Sequence, residues 1–245
     1  IGSVTDLEAL AQELVAGDAG EAALGQRIAR MTAQFDFDGL ILDTEWSAFS
    51  TAAEVWSEHG IELELAVWQE IVGTAEHVHW SEMLEGDLGR SIDRETVIPA
   101  RQAQHHAEVE AMDLLPGAED LIRAANVAGL RLAVASSSPV DWVGGHLERR
   151  GLIGYFDVVV CRDHVAMTKP DPELYTTALE SLGVAADHAV ALEDSHHGTV
   201  AAKAAGLVCV AVPNRVTAGQ DFDAASLVVD SLERLTIPTL ESLLP

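Results

Sequence analysis

Only two lysines, Lys169 and Lys203, occur in the 245 residues, and 14 basic side chains face 40 acidic ones, a formal net charge of −26. A field of that sign repels nucleic acid and anionic lipid, so neither nucleic acid nor membrane is an expected partner. It would repel a small anion too, unless a metal or a well-placed lysine supplies local positive charge. Cysteine is equally scarce. Cys161 and Cys209 each lie inside an apolar run, as buried thiols of a reducing compartment do, and no disulfide framework is expected. No apolar run approaches the ~20 residues that a membrane-spanning helix needs. No basic, apolar and small-residue sequence of a secretory signal opens the chain, and a cytoplasmic location is the expectation. With 48% apolar and 22% charged residues the composition is that of a globular protein rather than a disordered one. The length suits one core, or a core with an inserted subdomain.

What is there divides into three parts. Residues 1–30 carry Leu7, Leu10, Leu14 and Val15 at helical spacing, then Gly17-Asp18-Ala19-Gly20 breaks the pattern. This segment reads as a true extension, a fragment of a fused partner or a remnant of cloning. From Phe49 to Met112 the pattern is helical, over Ala52–His59, Leu65–Val72, Ser81–Leu84 and Asp93–Met112. After Pro116-Gly117 apolar runs alternate with helical stretches. Strands are expected at Leu130–Ala135, Phe156–Cys161, Ala189–Leu192, Val208–Val212 and Leu227–Val229. Helices are expected near Ala118–Val127, Val140–Arg150, Pro172–Leu182 and Gly198–Ala205. Near-continuous apolar strands separated by helices predict an α/β fold, a Rossmann-like doubly wound parallel sheet covered on both faces. Residues 47–113 then read as an all-helical insertion into a core made of 31–46 and 114–245.

The densest chemistry lies at Phe35-Asp36-Phe37-Asp38-Gly39. Two acids at i and i+2 follow a strand-like run, so their side chains share one side, and Gly39 lets the backbone turn closely about them. Held together, two carboxylates repel unless a cation or a shared proton relieves them. Ligands of open parallel sheets bind beyond the carboxyl ends of the strands. There the other strands deliver Ser136-Ser137-Ser138 and Glu193-Asp194-Ser195, and the loop after Phe156–Cys161 carries Lys169-Pro170-Asp171-Pro172.

This set suits phosphoryl transfer. A carboxylate can attack phosphorus and split one hard displacement into two easier ones. Mg2+ takes oxygen ligands, typically one or two carboxylates together with the phosphate. A lysine and hydroxyl or backbone donors then meet the charge on the phosphoryl oxygens. A second acid can hand a proton to the leaving oxygen and take one from attacking water.

The segments FDFDGLILDTE (35–45), VASSS (134–138), KPDPELY (169–175) and ALEDSHHGTVAAKAAG (191–206), with LLPGAEDLIRAANVAG (114–129), resemble the haloacid dehalogenase-like hydrolase superfamily. The branch is that of the β-phosphoglucomutase-like phosphatases, and the likeness spans residues 33–245. It implies Asp36 as nucleophile and Asp38 as general acid/base. Ser136 and Lys169 would hold the phosphate, with Ser137 and Gly39 beside them. Mg2+ would be bound by Asp36, by the backbone carbonyl of Asp38 and by Asp194, with Glu193 next to it as ligand or support. The helical insertion would be a cap hinged near Thr44–Ser47 and Leu114–Gly117.

Each residue also has a plainer reading. Ser136–Ser138 can serve as loop and helix cap before Pro139, a role compatible with phosphate binding. An isolated lysine is usually a solvated surface residue. That fits Lys203 in its alanine-rich helix better than Lys169 in KPDP. The pairs His77/His79, His105/His106 and His196/His197 are expected to diverge or to stay clear of a metal that prefers oxygen. Trp46, Phe49, Trp56 and Trp68 are expected to pack the helical insertion, with Trp46 a candidate to face substrate. Gln34, polar in an apolar strand, requires a buried partner or marks a sheet edge.

Absences narrow the chemistry. Asp38 distinguishes the chain from dehalogenase-type relatives, and the lack of lysine between Trp46 and Leu115 excludes a cap Schiff base. Against the mutase pattern, Ala48 stands where the acid/base-gating histidine would be, and Glu76 where the distal-phosphate arginine would be. The expected activity is therefore Mg2+-dependent hydrolysis of a small soluble phosphorylated metabolite, such as a sugar phosphate, by a monomer or weak homodimer. The alternatives are a phosphosugar mutase and a non-catalytic phospho-ligand or protein-binding module.

Overall fold

The computed structural model describes residues 31–73 and 78–245, together with Gly25 and Ile28. The rest of the N-terminal segment, and Glu76 and His77 of the helical insertion, lie outside the described residues. Six strands form one parallel sheet: β1 (Thr32–Phe35), β2 (Arg131–Ala135), β3 (Val158–Val160), β4 (Ala189–Glu193), β5 (Val208–Ala211) and β6 (Leu227–Val228), in the order β3-β2-β1-β4-β5-β6. The chain builds outward from β1 through β2 to β3, then returns to place β4 on the other side of β1. The strand order thus reverses at β1, where an open α/β sheet has its binding crevice.

Period-two alternation assigns the two faces. Phe35, Leu132, Val134, Val190 and Leu192 pack on one side with α5 (Ala118–Val127), α6 (Val140–Arg149) and α9 (Ile237–Ser242). The other side presents Ala133, Ala135, Ala189, Ala191 and Cys209 to α7 (Glu173–Leu182) and α8 (His196–Ala204). Both cysteines are buried free thiols. Burial pushes Cys161 up to about 12 and raises Cys209 well above its ordinary range.

Gln34 fits neither expectation. It sits in the central strand, level with Ala133 and Ala191 on the alanine face. It is fully buried, and neither its amide nitrogen nor its oxygen has a hydrogen-bond partner. Its position is set by the sheet, not by a polar contact, and such an unmet amide costs on the order of 1–3 kcal/mol.

Four helices precede α5: α1 (Thr44–Glu58), α2 (Leu65–Gln69), α3 (Trp80–Leu88) and α4 (Arg94–Ala111). They enclose a second apolar cluster around Ala52, Trp56, Trp68, Trp80 and Leu84. Helix α1 begins at Thr44, well ahead of the expected Ala52, because its first turn continues directly from the acid loop. The loop after α2 rests on the core. The His197 ring meets Val72 O at 2.9 Å, Gln220 donates to Gln69 O at 2.8 Å and Ser137 donates to Gly73 O at 3.2 Å. Among the described residues, no helix is long and apolar enough to cross a membrane.

Candidate active site

The chemistry gathers where β1, β2 and β4 end. Asp36 follows β1 and extends the side occupied by Thr32 and Gln34, toward α7 and α8. Lys169 Nζ lies 2.5 Å from Asp36 Oδ1 and 2.5 Å from Glu193 Oε1, and all three side chains are buried. Burial by itself would depress the lysine, but Asp36 and Glu193 outweigh it and hold Lys169 protonated. Asp36 is pushed up to about 7, first by burial and then by Glu193 and Asp38, against the pull of Lys169.

Glu193 is the last residue of β4 and not a loop residue, which fixes its carboxylate on the same face as Asp36. Its Oε1 also accepts from Tyr175 at 2.5 Å, and its Oε2 accepts from the Asp194 N–H at 3.2 Å and Ser195 Oγ at 3.3 Å. A side chain at Gly198 would overlap this carboxylate, so the first turn of α8 closes over Glu193 only because residue 198 has none. Asp194 points beneath the Gly39 turn. Gly39 has φ of 79°, and a Cβ there would overlap Asp194 Oδ2 and Asn214. Asn214 bridges the two, donating to Asp194 Oδ2 at 2.7 Å and to Gly39 O at 3.0 Å. Burial, Asp36 and Glu193 together raise Asp194 well above the carboxylate range.

One carboxylate oxygen from each of Asp36, Glu193 and Asp194 falls within 4.8 Å of the others. Ligands across an octahedral Mg2+ stand about 4.2 Å apart, so small side-chain shifts bring this all-oxygen set into range. The donor set fits Mg2+. Asp36 and Asp194 fit it best, because both oxygens of Glu193 already have protein partners.

Asp38 is placed apart from that cluster. Its Oδ1 accepts from Thr44 Oγ1 at 2.8 Å and Trp142 Nε1 at 2.9 Å, and its Oδ2 accepts from Ser136 Oγ at 3.3 Å. Two cavities meet there. A small one of about 200 Å3 is lined by Asp36, Asp38, Ser136, Ser137 and Arg162, and a larger one of about 630 Å3 by Asp38, Arg101, His105, His106 and Trp142 among others. Glu45 lines both, and burial followed by Asp38, Asp36 and Asp43 pushes it up to about 8.

The larger cavity corrects the reading of the histidines. His105 and His106 do not diverge: both rings pack on Trp142, at 5.4 and 5.1 Å between centroids, because α4 crosses the start of α6 at that point. His146 meets the same indole at 4.3 Å. Burial holds His105 and His146 neutral, each near a pKa of about 4. Arg101 lies over Trp80 and Trp68, donates to Ala48 O and keeps an unpartnered Nε. Trp46 lines neither cavity; the Arg215 guanidinium covers its ring at 3.9 Å. His196 and His197 turn their rings to the carbonyls of Asp221 and Val72.

The structure thus brings Asp36, Asp38, Ser136, Ser137, Lys169, Glu193, Asp194 and Gly39 to one sheet edge. It adds Asn214, Tyr175, Thr44, Trp142, Arg162 and Arg101. Asn214 could have been found by following the β5 run to its own carboxyl end. Nothing in the sequence marks Trp142.

A Rossmann-like sheet with acids, a lysine and serines at its switch point is the framework of a phosphoryl-handling α/β enzyme. The model of the haloacid dehalogenase-like hydrolase family matches residues 34–212, well over half of the chain. YhcW of Bacillus subtilis (strain 168), named as a candidate phosphatase, is 39% identical over 206 residues, covering 84% of this chain and 94% of that protein. A phosphorylated carbohydrates phosphatase of Thermotoga maritima is 31% identical over 176 residues, covering 71% of this chain and 80% of that protein. The crystal structure of a candidate β-phosphoglucomutase from Thermotoga maritima superposes with a TM-score of 0.68 at 28% identity, covering 83% of this chain and 96% of that one. The chain belongs to the haloacid dehalogenase-like hydrolase family, on its β-phosphoglucomutase-like branch. Within it, the chain is a phosphoric monoester hydrolase.

Proposed function

We propose that this enzyme hydrolyses a small soluble phosphomonoester, with a sugar phosphate as the leading substrate class, through an aspartyl-phosphate on Asp36. The observation that carries the reading is the position of Asp38 where the two cavities meet. The small cavity, which Asp36 lines, suits the phosphoryl group; the larger one falls within the usual ligand-pocket range of roughly 300–1,000 Å3 and suits the organic remainder. The oxygen joining them would then lie beside Asp38.

In the first displacement Asp36 attacks phosphorus, the ester P–O bond breaks, and Asp38 gives its proton to the departing oxygen. In the second, water attacks the aspartyl-phosphate, Asp38 takes the water's proton, and orthophosphate leaves with Asp36 restored. Lys169 and the Ser136 hydroxyl supply charge and donors to the phosphoryl oxygens. Asp36, Asp194 and the Asp38 backbone carbonyl would hold Mg2+, which when bound supplies positive charge that favours ionised Asp36 and screens the phosphoryl oxygens. Thr44 and Trp142 fix the carboxylate of Asp38 between the cavities. The names of the relatives support hydrolysis of phosphorylated carbohydrates, and Ala48 leaves the mutase reading without its histidine.

The test is phosphate release from a panel of sugar phosphates with magnesium, by the wild type and by Asp36→Asn. The variant is expected to lose at least about 10^3-fold in kcat. Equal and negligible rates for both proteins would overturn the reading. Isomerisation of a sugar monophosphate without phosphate release would establish the mutase instead.

A further inference from the structure

We propose that Arg162 binds the oxygens of the phosphoryl group being transferred, as a second cation beside Lys169. This rests on the hydrolytic reading of the same site. Arg162 follows β3 directly and opens a single helical turn, Arg162–His164. Its backbone N–H donates to Ser138 O at 3.2 Å, which ties it to the serine loop that ends β2. Its side chain is exposed, yet it lines the small cavity with Asp36, Ser136 and Ser137. The larger cavity does not include it.

Charge explains why a cation is required there. Lys169 is shared between Asp36 and Glu193 at 2.5 Å each, so it is already matched by acids before substrate arrives. Asp38 enters the first displacement protonated, so Asp36, Glu193 and Asp194 carry three negative charges as ionised groups, and one lysine and one divalent cation return three. A phosphate dianion entering that site adds two negative charges that those cations do not offset, inside a chain whose formal charge is −26. Among the described residues, Arg162 is the one basic residue on the small cavity's lining, which does not include Lys169.

Its guanidinium is uncommitted. Arg94, Arg123, Arg149, Arg215 and Arg234 are paired with carboxylates, while Arg101, Arg131 and Arg150 donate to backbone carbonyls. The guanidinium of Arg162 has no such partner among the described residues, in a chain with 40 acids. Its neighbour Asp163 turns away, accepting from the Val140 N–H at 2.7 Å. Arg90 is the other described arginine without a pair, and it lines neither cavity. A planar guanidinium offers two parallel donors to a phosphate, which an ammonium cannot.

Because Arg162 faces the phosphoryl cavity alone, its contribution is the same whatever the leaving group. Orthophosphate binding by calorimetry and kcat/KM for p-nitrophenyl phosphate and a sugar phosphate would be measured on the full chain with magnesium, for wild type, Arg162→Ala and Arg162→Lys. Arg162→Ala is expected to weaken orthophosphate about 10-fold and to lower kcat/KM by about 10- to 100-fold, equally for both substrates. Arg162→Lys recovers part of each loss. Unchanged orthophosphate affinity in Arg162→Ala, or a loss confined to one substrate, would overturn the proposal. A wild type that binds orthophosphate through Arg162 but hydrolyses no ester would retain this site while ending the hydrolytic reading.

Discussion

The two cavities that share Asp38 are made from different material. The small one is bounded by strand ends and the loops that leave them: Asp36 after β1, Ser136 and Ser137 after β2, Arg162 after β3. The larger one is bounded by helix surfaces, with Arg101, His105 and His106 from α4 and Trp142 and His146 from α6. Backbone bonds fix these strand ends, on both sides for β1 and β2 and on one side for the edge strand β3, so the first set is held by the sheet itself. Helix surfaces meet through side chains alone. On the proposed reading, the chemistry is anchored in the part of the fold least able to drift, and substrate choice in the part most able to.

Replacing the shared residue breaks the comparison most sharply. Asp38→Asn keeps the carboxylate's shape and removes its proton transfer, so kcat on a sugar phosphate is expected to fall about 10^2–10^4-fold. In rapid-mixing experiments with p-nitrophenyl phosphate, whose leaving group needs no proton, the first displacement should lose far less. An equal loss in that step would remove Asp38 from the acid role.

Arg101 tests the larger cavity by itself. Arg101→Leu should change kcat/KM by about 10-fold for a sugar phosphate and little for p-nitrophenyl phosphate, the reverse of the uniform effect expected at Arg162. Equal losses on both substrates would show that Arg101 acts through folding and not through the leaving group. The smallest effect lies under the small cavity. Gln34→Met retains the volume and removes the unmet amide, and is expected to stabilise the protein by about 1–2 kcal/mol in denaturant melts with kcat unchanged. A less stable variant would mean that the amide has a partner in solution.

The division between the cavities also explains what the sequence made legible. Asp36, Ser136, Lys169, Glu193 and Asp194 could be placed because each follows an apolar run whose direction is set by the parallel sheet. Asn214 obeys the same rule one strand further on. The convergence of His105 and His106 on Trp142 could not be read, because it depends on how α4 crosses α6, and no local pattern encodes that angle. The same holds for Arg101, whose partners Trp68, Trp80 and Ala48 come from three other helices. Arg162 belongs to no sequence motif, and its place is fixed by the loop bond to Ser138. Gln34 shows the opposite limit: its strand was readable, yet the polar contact its chemistry seemed to require is not made.

The two thiols have a practical consequence. Cys161 and Cys209 are buried, and both are pushed well away from the thiolate form that reacts with electrophiles. The native chain thus supplies a silent background for thiol-directed probes. A cysteine introduced at an exposed cap position such as Glu58, and another on the core at Lys203, would take spin or fluorescent labels without first removing the natural pair. The distance between the labels, measured with and without substrate, would then show whether the helices move over the sheet.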